Sequence, residues 1–108
     1  MNQIILVGRL GDRPELIPME SGQALCSFSI ATNERWTDKS GEKKEMTEWH
    51  RIKVWGNAAA ACSKHLKKGS HVLVNGKIRT RSYEDKQGGT RHVTEILANE
   101  VKFLDGAE

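Results

Sequence analysis

The 108-residue chain lacks the features of several specialised protein classes. Its longest apolar runs, Ile4–Val7 and Ala58–Cys62, are far too short to span a membrane, and neither has the flanks of a secretory signal. Two cysteines, Cys26 and Cys62, are too few for a disulfide framework. The length leaves room for one ordinary small domain, and an apolar share of 37% is enough for one compact core.

The middle of the chain has no acidic residue. Residues 49–83 contain eight Lys or Arg and no Asp or Glu, whereas residues 1–48 carry a net charge of −2 and residues 84–108 one of −3. The modest overall charge of +3 therefore conceals a block of +8. A carboxylate-free stretch of 35 residues indicates an anionic partner, although chance clustering of solvated lysines would produce the same count.

Glycines at expected turn positions and alternating apolar residues predict a β-rich domain. The predicted strands are Asn2–Leu10, Ala24–Thr32, Glu45–Trp55, Ser70–Tyr83 and Arg91–Leu104, with a short edge continuation at Pro14–Met19 and one helix at Asn57–Lys68. A helix between the third and fourth of five strands is typical of the OB-fold, which binds oligonucleotides or oligosaccharides. We therefore predict an all-β fold, a five-stranded OB-fold Greek-key barrel with one short helix between strands 3 and 4, forming a single domain over residues 1–108.

For two elements the pattern gives more detailed expectations about which residues share a side. The helix is expected to begin at an Asn57 N-cap, and its inward stripe is predicted to be Ala58, Ala61, Cys62, His65 and Leu66. On the last strand, one side is predicted to hold Val93, Leu97, Val101 and Phe103, only weakly separated from a second side with Ile96 and Ala98.

The third predicted strand has two contrasting faces. Met46, Ile52 and Val54 share one face, and the other face holds Trp49, Arg51, Lys53 and Trp55. A core position for the tryptophans would bury the two cations as well, so we expect the indoles to be exposed.

The fourth predicted strand repeats this arrangement, with Lys77, Arg79, Arg81 and Tyr83 on one face. Aromatic faces for stacking and cations for phosphates are what a sequence-tolerant binder of single-stranded nucleic acid needs. The pattern does not decide the role of Trp36. This residue lies on a strand only if the strand runs for thirteen residues, which is long, and otherwise it lies in a loop.

A catalytic or metal-binding function has weak support. Cys62 and His65 are three residues apart on the predicted helix, but no second Cys/His pair has zinc-site spacing. No phosphate-binding glycine loop or nucleophile elbow is present. We expect neither enzymatic activity nor a metal or cofactor, and a nucleophilic Cys62 would have to show rapid alkylation that abolishes function.

Several segments resemble the bacterial single-stranded DNA-binding proteins. These are residues 2–11 (Asn-Gln-Ile-Ile-Leu-Val-Gly-Arg-Leu-Gly), 47–52 (Thr-Glu-Trp-His-Arg-Ile), 66–70 (Leu-Lys-Lys-Gly-Ser), 76–83 (Gly-Lys-Ile-Arg-Thr-Arg-Ser-Tyr) and 93–95 (Val-Thr-Glu). The resemblance implies an OB-fold that assembles as a homotetramer and wraps single-stranded DNA.

The resemblance also implies roles for individual residues. Its stacking positions fall on Trp36, Trp49, Trp55 and Tyr83, which favours DNA contact for Trp36, and two of its phosphate contacts fall on Lys39 and Lys68. His50 matches a position used between subunits, and an interface role fits the first strand, Ile4, Ile5, Leu6 and Val7, which is apolar on both faces. Tyr83 and Trp55 replace the Trp and Phe of many members, and both remain stacking residues.

The family commonly continues into a flexible tail with an acidic tip that recruits replication and repair enzymes. This sequence ends at Asp105-Gly106-Ala107-Glu108, so we expect a truncated or tail-less member and carry over no tail-mediated partner. The expected function is cytoplasmic, nucleoid-associated protection of single-stranded DNA in replication, recombination and repair, without a membrane partner. The alternatives are a dimeric OB assembly protein of the primosomal type and an RNA-binding OB module.

Overall fold

The computed structural model describes residues 1–105, so residues 106–108, where the sequence ends, lie outside the described part. The elements in chain order are strands β1 (Ile4–Leu10), β2 (Glu15–Pro18), β3 (Ala24–Thr37) and β4 (Lys43–Trp55), helix α1 (Asn57–His65), and strands β5 (His71–Glu84) and β6 (Thr90–Phe103). No helix among residues 1–105 is long and apolar enough to cross a membrane.

Five of the strands close into a barrel. Their order is β1-β5-β6-β4-β3, and β3 returns to β1 through the pairs Arg9–Ala31 and Leu10–Ile30. All neighbours are antiparallel except β4 and β6, which are parallel and pair only at Ile52–Ile96 and Lys53–Leu97. The short β2 lies outside the ring against β3. The predicted five-stranded OB-fold with one helix between the third and fourth barrel strands is confirmed, and β2 is the predicted edge continuation.

Aliphatic side chains on the inward face of each strand fill the barrel. Ile30, Ile52, Val72 and Val74 have no solvent exposure, and Val54 is 2% exposed. Helix α1 contributes Ala59 and Cys62 to the same core, and Leu66, the residue that caps its C-terminal end, is buried there too. Burial of this kind gives about 1.5–3 kcal/mol for each large aliphatic side chain, which makes the barrel the stable part of the molecule.

The predicted N-cap of helix α1 is wrong by one residue, and the predicted inward stripe is right for Cys62 and Leu66 but wrong for Ala58, Ala61 and His65, which are exposed. The N-cap is Gly56, with φ of 72°, and Asn57 is the first helical residue. Gly56 N–H donates to the carbonyl of Ala24 at 2.9 Å, which ties the helix start to β3. Ala58 and Ala61 are exposed, whereas Ala59 is buried. Four consecutive alanines could not indicate which face of the helix is inward. That face is set by the position at which the chain leaves β4 and begins the helix at Gly56.

The prediction for the last strand is wrong because β6 contains an irregularity. Asn75 pairs with Glu100 and the next residue, Gly76, pairs with Ala98, so Asn99 is left over. Such a bulge reverses the alternation of side chains. Ile96 and Ala98 therefore face the core before the bulge, and Val101 faces it afterwards.

Both long hairpins extend beyond the barrel. In the β3–β4 ribbon, defined as residues 31–37 paired with 43–49, no residue is buried, and the same holds for the β5–β6 ribbon, residues 80–84 paired with 90–94. Trp36 is thereby placed on a strand, since β3 runs unbroken for 14 residues. Met46, expected on the core side, is 52% exposed because the barrel ends before it.

Candidate nucleic-acid interface

The outward sides of β4, β6 and β5 form one continuous surface. Lys53 of β4 and Lys77 of β5 both pair with Leu97 of β6, so outward rows from β4 and β5 flank β6. We name this surface the basic face, and its members from β4 and β5 are Trp49, Arg51, Lys53, Trp55, Lys77, Arg79, Arg81 and Tyr83. The structure thus brings together the eight residues that alternation predicted for a common surface, while their role stays a prediction.

The aromatic side chains of the basic face are accessible. Trp49 is 60% exposed, Tyr83 46% and Trp55 38%, so none of the three belongs to the core. Trp49 and Trp55 are six residues apart on one strand, which separates them by about 20 Å. The guanidinium carbon of Arg81 lies 6.0 Å from the centre of the Tyr83 ring. The surface therefore offers flat rings at intervals, with cations between them.

Trp49 rests on a glycine outside its own hairpin. The indole ring occupies the space in which a Cβ of Gly11 would lie. Gly11 follows β1 and is held against β3 by a hydrogen bond from its N–H to the carbonyl of Ser29 at 3.1 Å. The sequence suggested only a turn at Gly11, and no local signal in it points to Trp49. The ring is supported from beneath although most of its surface is open.

A buried carboxylate lies at the centre of the basic face. Glu95 of β6 is 1% exposed. Its Oε1 accepts hydrogen bonds from Nη2 of Arg79 at 2.9 Å and Nε of Arg81 at 3.2 Å, and Nζ of Lys53 lies 3.0 Å from Oε2. We name these four residues the Glu95 cluster. The sequence pattern did not identify Glu95 as a site residue. Glu95 meets its cations only because β6 pairs with β5 on one side and with β4 on the other, and these pairings belong to the tertiary structure.

Two opposing influences act on the pKa of Glu95. Burial is the largest and raises it, but the contacts with Arg79 and Lys53 and the charges of Lys53 and Arg81 together outweigh burial. The pKa of Glu95 therefore lies below its ordinary value, and the carboxylate is ionised at neutral pH.

A cleft separates the two ribbons where β4 and β6 diverge. Its volume is about 570 Å³, and Trp49 and Tyr83 both line it, together with Ile78 and His92. Because Trp49 belongs to one ribbon and Tyr83 to the other, the cleft is bordered by an aromatic ring from each. An extended chain of flat bases has the shape and chemistry to follow such a border.

Three predicted DNA contacts lie away from the basic face. Trp36, 47% exposed, pairs with Lys44, so alternation puts it on the opposite side of the β3–β4 ribbon from Trp49. Lys39 lies at the tip of that ribbon, in the turn closed by the hydrogen bond from Asp38 N–H to the Glu42 carbonyl. Lys68 is in the turn after α1, next to Gly69, whose N–H donates to the carbonyl of Leu10.

The predicted interface residues divide between the core and the surface. Ile4 and Leu6 pack against the barrel core, whereas Ile5 and Val7 are 57% and 46% exposed. His50 is half-buried, and its Nε2 lies 2.8 Å from Oγ1 of Thr32 in a hydrogen bond. A groove of about 370 Å³ runs between β1 and the β3–β4 ribbon, and its lining includes Ile5, Val7, Met46 and His50.

The cysteines have the environment of core residues. Cys62 is 1% exposed, and burial, with a smaller effect of Cys26, raises the pKa of its thiol to about 12. A thiol that stays protonated at neutral pH is a poor nucleophile. His65 packs beside the ring of Phe103, with 6.1 Å between the ring centres. Among residues 1–105, no three His, Cys, Asp or Glu side chains come together as a metal ligand set.

A family model described as the Single-strand binding protein family matches residues 1–104. Among curated proteins, the chain is similar to a single-stranded DNA-binding protein of Neisseria meningitidis, with 44% identity over 98% of this chain and 61% of the relative. It is also similar to single-stranded DNA-binding protein 1 of Chlorobaculum tepidum, with 43% identity over 96% of this chain and 65% of the relative. The chain thus spans less than two thirds of the length of these relatives.

Two solved structures have the same fold. A Plasmodium falciparum SSB in complex with single-stranded DNA superposes with a TM-score of 0.92 at 36% identity, over 97% of this chain and 96% of that one. A deletion mutant of the single-stranded DNA-binding protein of Thermus aquaticus gives a TM-score of 0.87 at 27% identity, over 98% of this chain and 51% of that one.

Proposed function

This chain belongs to the single-strand binding protein family, and from that premise we propose that it binds single-stranded DNA with little sequence preference, as one domain. The observation that carries the proposal is the basic face, where exposed aromatic rings and cations share the outward rows of β4 and β5, on either side of β6. Stacking contributes about 1–3 kcal/mol per base and does not depend on base identity, because every base has a π-face.

In this proposal the aromatic residues stack on bases and the cations contact phosphates. The stacking residues are Trp36, Trp49, Trp55 and Tyr83, and the phosphate contacts are Lys39, Arg51, Lys53, Lys68, Lys77, Arg79 and Arg81. Because Trp36 and Trp49 lie on opposite sides of the β3–β4 ribbon, the strand would pass around that ribbon rather than along one plane.

The biological role we propose is non-catalytic. The protein would cover exposed strands during replication, recombination and repair, in the cytoplasm on the nucleoid. The burial of Cys62 supports a binding role over thiol catalysis, since an attacking thiol needs access and thiolate character.

Titration with oligo-dT tests the proposed function. We expect quenching of tryptophan fluorescence, and an affinity that falls with salt with a slope of about −0.7 per neutralised phosphate. Matched duplex DNA and RNA of equal length serve as controls. Equal affinity for the duplex without quenching would contradict the proposal, and preference for the RNA would favour the RNA-binding alternative.

We further propose that the chain assembles as a homotetramer through β1. The strand pairs with β5 over residues 4–9 but with β3 only at Arg9 and Leu10, so within the described chain the other edge of residues 4–8 is unpaired. Exposed Ile5 and Val7 lie along this stretch, and the groove containing His50 is beside it. An unpaired apolar edge strand is a ready site for pairing with another chain.

Light scattering tests the assembly. We expect a mass of about four 12.1 kDa chains, reduced by Val7→Asp but not by Leu16→Asp. The control is matched because Val7 and Leu16 are both 46% exposed, and Leu16 is on β2. A dimer in the wild type would favour the primosomal-type alternative, and a monomer would exclude both assemblies.

A further inference from the structure

The Glu95 cluster places an anion in a surface that we propose binds a polyanion. We infer that Glu95 is a positioning residue, which fixes the directions of Lys53, Arg79 and Arg81 so that their remaining donors face the phosphates of the bound strand. This inference rests on the proposed function, because it concerns how the same surface holds its ligand.

Charge alone predicts that Glu95 should weaken DNA binding. The block from residue 49 to 83 contains no carboxylate, and Glu95 brings one into its surface from β6. The carboxylate reduces the charge of the cluster from +3 to +2, and its buried position leaves its field poorly screened by salt. An anion at this point therefore needs a compensating role, either in stability or in the arrangement of its partners.

The geometry favours arrangement, because both arginines keep most of their hydrogen-bonding capacity, whereas the Lys53 side chain is 21% exposed. An arginine has five N–H donors, and the contacts with Glu95 occupy Nη2 of Arg79 and Nε of Arg81. The Arg79 and Arg81 side chains are 48% and 44% exposed although Glu95 is 1% exposed. The carboxylate thus binds the two arginines from the buried side, and their remaining donors are on the solvent side.

The cluster also joins side chains from three strands of the barrel. Arg79 and Arg81 come from β5 and Lys53 from β4, and these strands do not pair with each other but flank β6, which carries Glu95. Long basic side chains lose rotamer freedom when they bind a ligand, which weakens binding. If Glu95 orders the three side chains before DNA binds, that rotamer freedom is already lost in the free protein, and binding is weakened less.

Three variants separate this role from simple electrostatics. Glu95→Gln removes the charge with little change of shape, Glu95→Asp keeps the charge but shortens the reach, and Glu100→Gln makes the same charge change at an exposed position of β6. Affinity for oligo-dT, its salt slope and the fraction folded are measured for each. We expect Glu95→Gln to weaken binding about tenfold and Glu95→Asp to weaken it severalfold, with Glu100→Gln equal to the wild type or tighter.

A measurement without DNA tests whether Glu95 orders the Arg81 side chain in the free protein. In NMR spectra of the free wild type, the Nε–H of Arg81 should exchange slowly with water because it donates to Glu95. That protection should fall in Glu95→Gln, whose uncharged amide oxygen is a weaker acceptor, and persist in Glu100→Gln. Backbone N–H exchange in β5 is the control, because a general loss of stability would speed it as well, whereas loss of the Glu95 contact alone would not.

The outcomes are distinguishable. Tighter or unchanged binding by Glu95→Gln, with the wild type binding normally, would overturn the positioning role and leave the proposed function standing. A Glu95→Asp variant that binds as the wild type does would overturn it equally, including where Glu95→Gln fails to fold. Absence of wild-type binding to oligo-dT would overturn the proposed function and this inference together.

Discussion

The two halves of β4 have the same alternation of side chains but different surroundings. Near its C-terminal end, Ile52 and Val54 are buried beneath the opposite wall of the barrel, while Arg51 and Trp55 face outward. Over residues 43–49 no side chain is buried on either face, because the β3–β4 ribbon has left the barrel. Alternation therefore decides which side a residue is on, and the closed ring decides whether that side is a core.

The largest effect is expected from a change in the barrel half. Ile52→Ala should reduce the free energy of unfolding by about 2–5 kcal/mol, because it leaves a cavity beneath a fully buried side chain. Lys44→Ala changes a ribbon residue of the same face and should alter it by less than about 0.5 kcal/mol. Urea denaturation followed by circular dichroism measures both. Comparable losses would show that the ribbon is as important for stability as the barrel.

Trp49→Ala, a change in the ribbon half of β4, should affect DNA binding rather than stability. Removal of an exposed stacking ring should weaken oligo-dT binding by about 1–3 kcal/mol and leave the unfolding midpoint nearly unchanged. Fluorescence anisotropy with a labelled oligonucleotide measures affinity, since tryptophan emission itself changes in this variant. A large loss of stability with unaltered affinity would mean that Trp49 is a structural residue.

A smaller effect on affinity is expected from Gly11→Ala. The added Cβ would occupy the space of the Trp49 indole, so the ring must move while the barrel stays intact. We expect binding to weaken about threefold, less than on removal of the ring. A double-mutant cycle provides the control: Gly11→Ala should have no further effect when Trp49 is already alanine. Additive losses would show that Gly11 acts independently of the indole.

The pH dependence of the free energy of unfolding tests the lowered pKa of Glu95. Because the pKa of Glu95 is held below its ordinary 4.5 in the folded state, the carboxylate contributes stability above that pH and loses it as pH falls through its folded pKa. The difference in stability between the wild type and Glu95→Gln should therefore be greatest above pH 4.5 and narrow in more acidic solution. Asp38 and Asp85, whose pKa values are also lowered, cancel because both variants retain them. A gap that widens in acid would contradict the assigned direction.

Local pattern was sufficient for the order of elements and for the rows of the basic face. Strand periodicity is a property of neighbouring residues, so Trp49, Arg51, Lys53 and Trp55 could be assigned to one side without knowledge of any partner strand. The same argument placed the tryptophans outside the core, and the exposed fractions agree.

Features that depend on pairing between distant strands were decided only in the folded chain. The bulge at Asn99 reversed the inward side of β6, and the exit from β4 selected the buried face of α1. Glu95 meets its three cations, and Trp49 meets Gly11, only because the barrel closes. Alternation is imposed by the local geometry of the backbone, whereas register and closure follow from the packing of the whole chain. The sequence by itself therefore determined the faces of the strands, and the tertiary structure determined what each face meets.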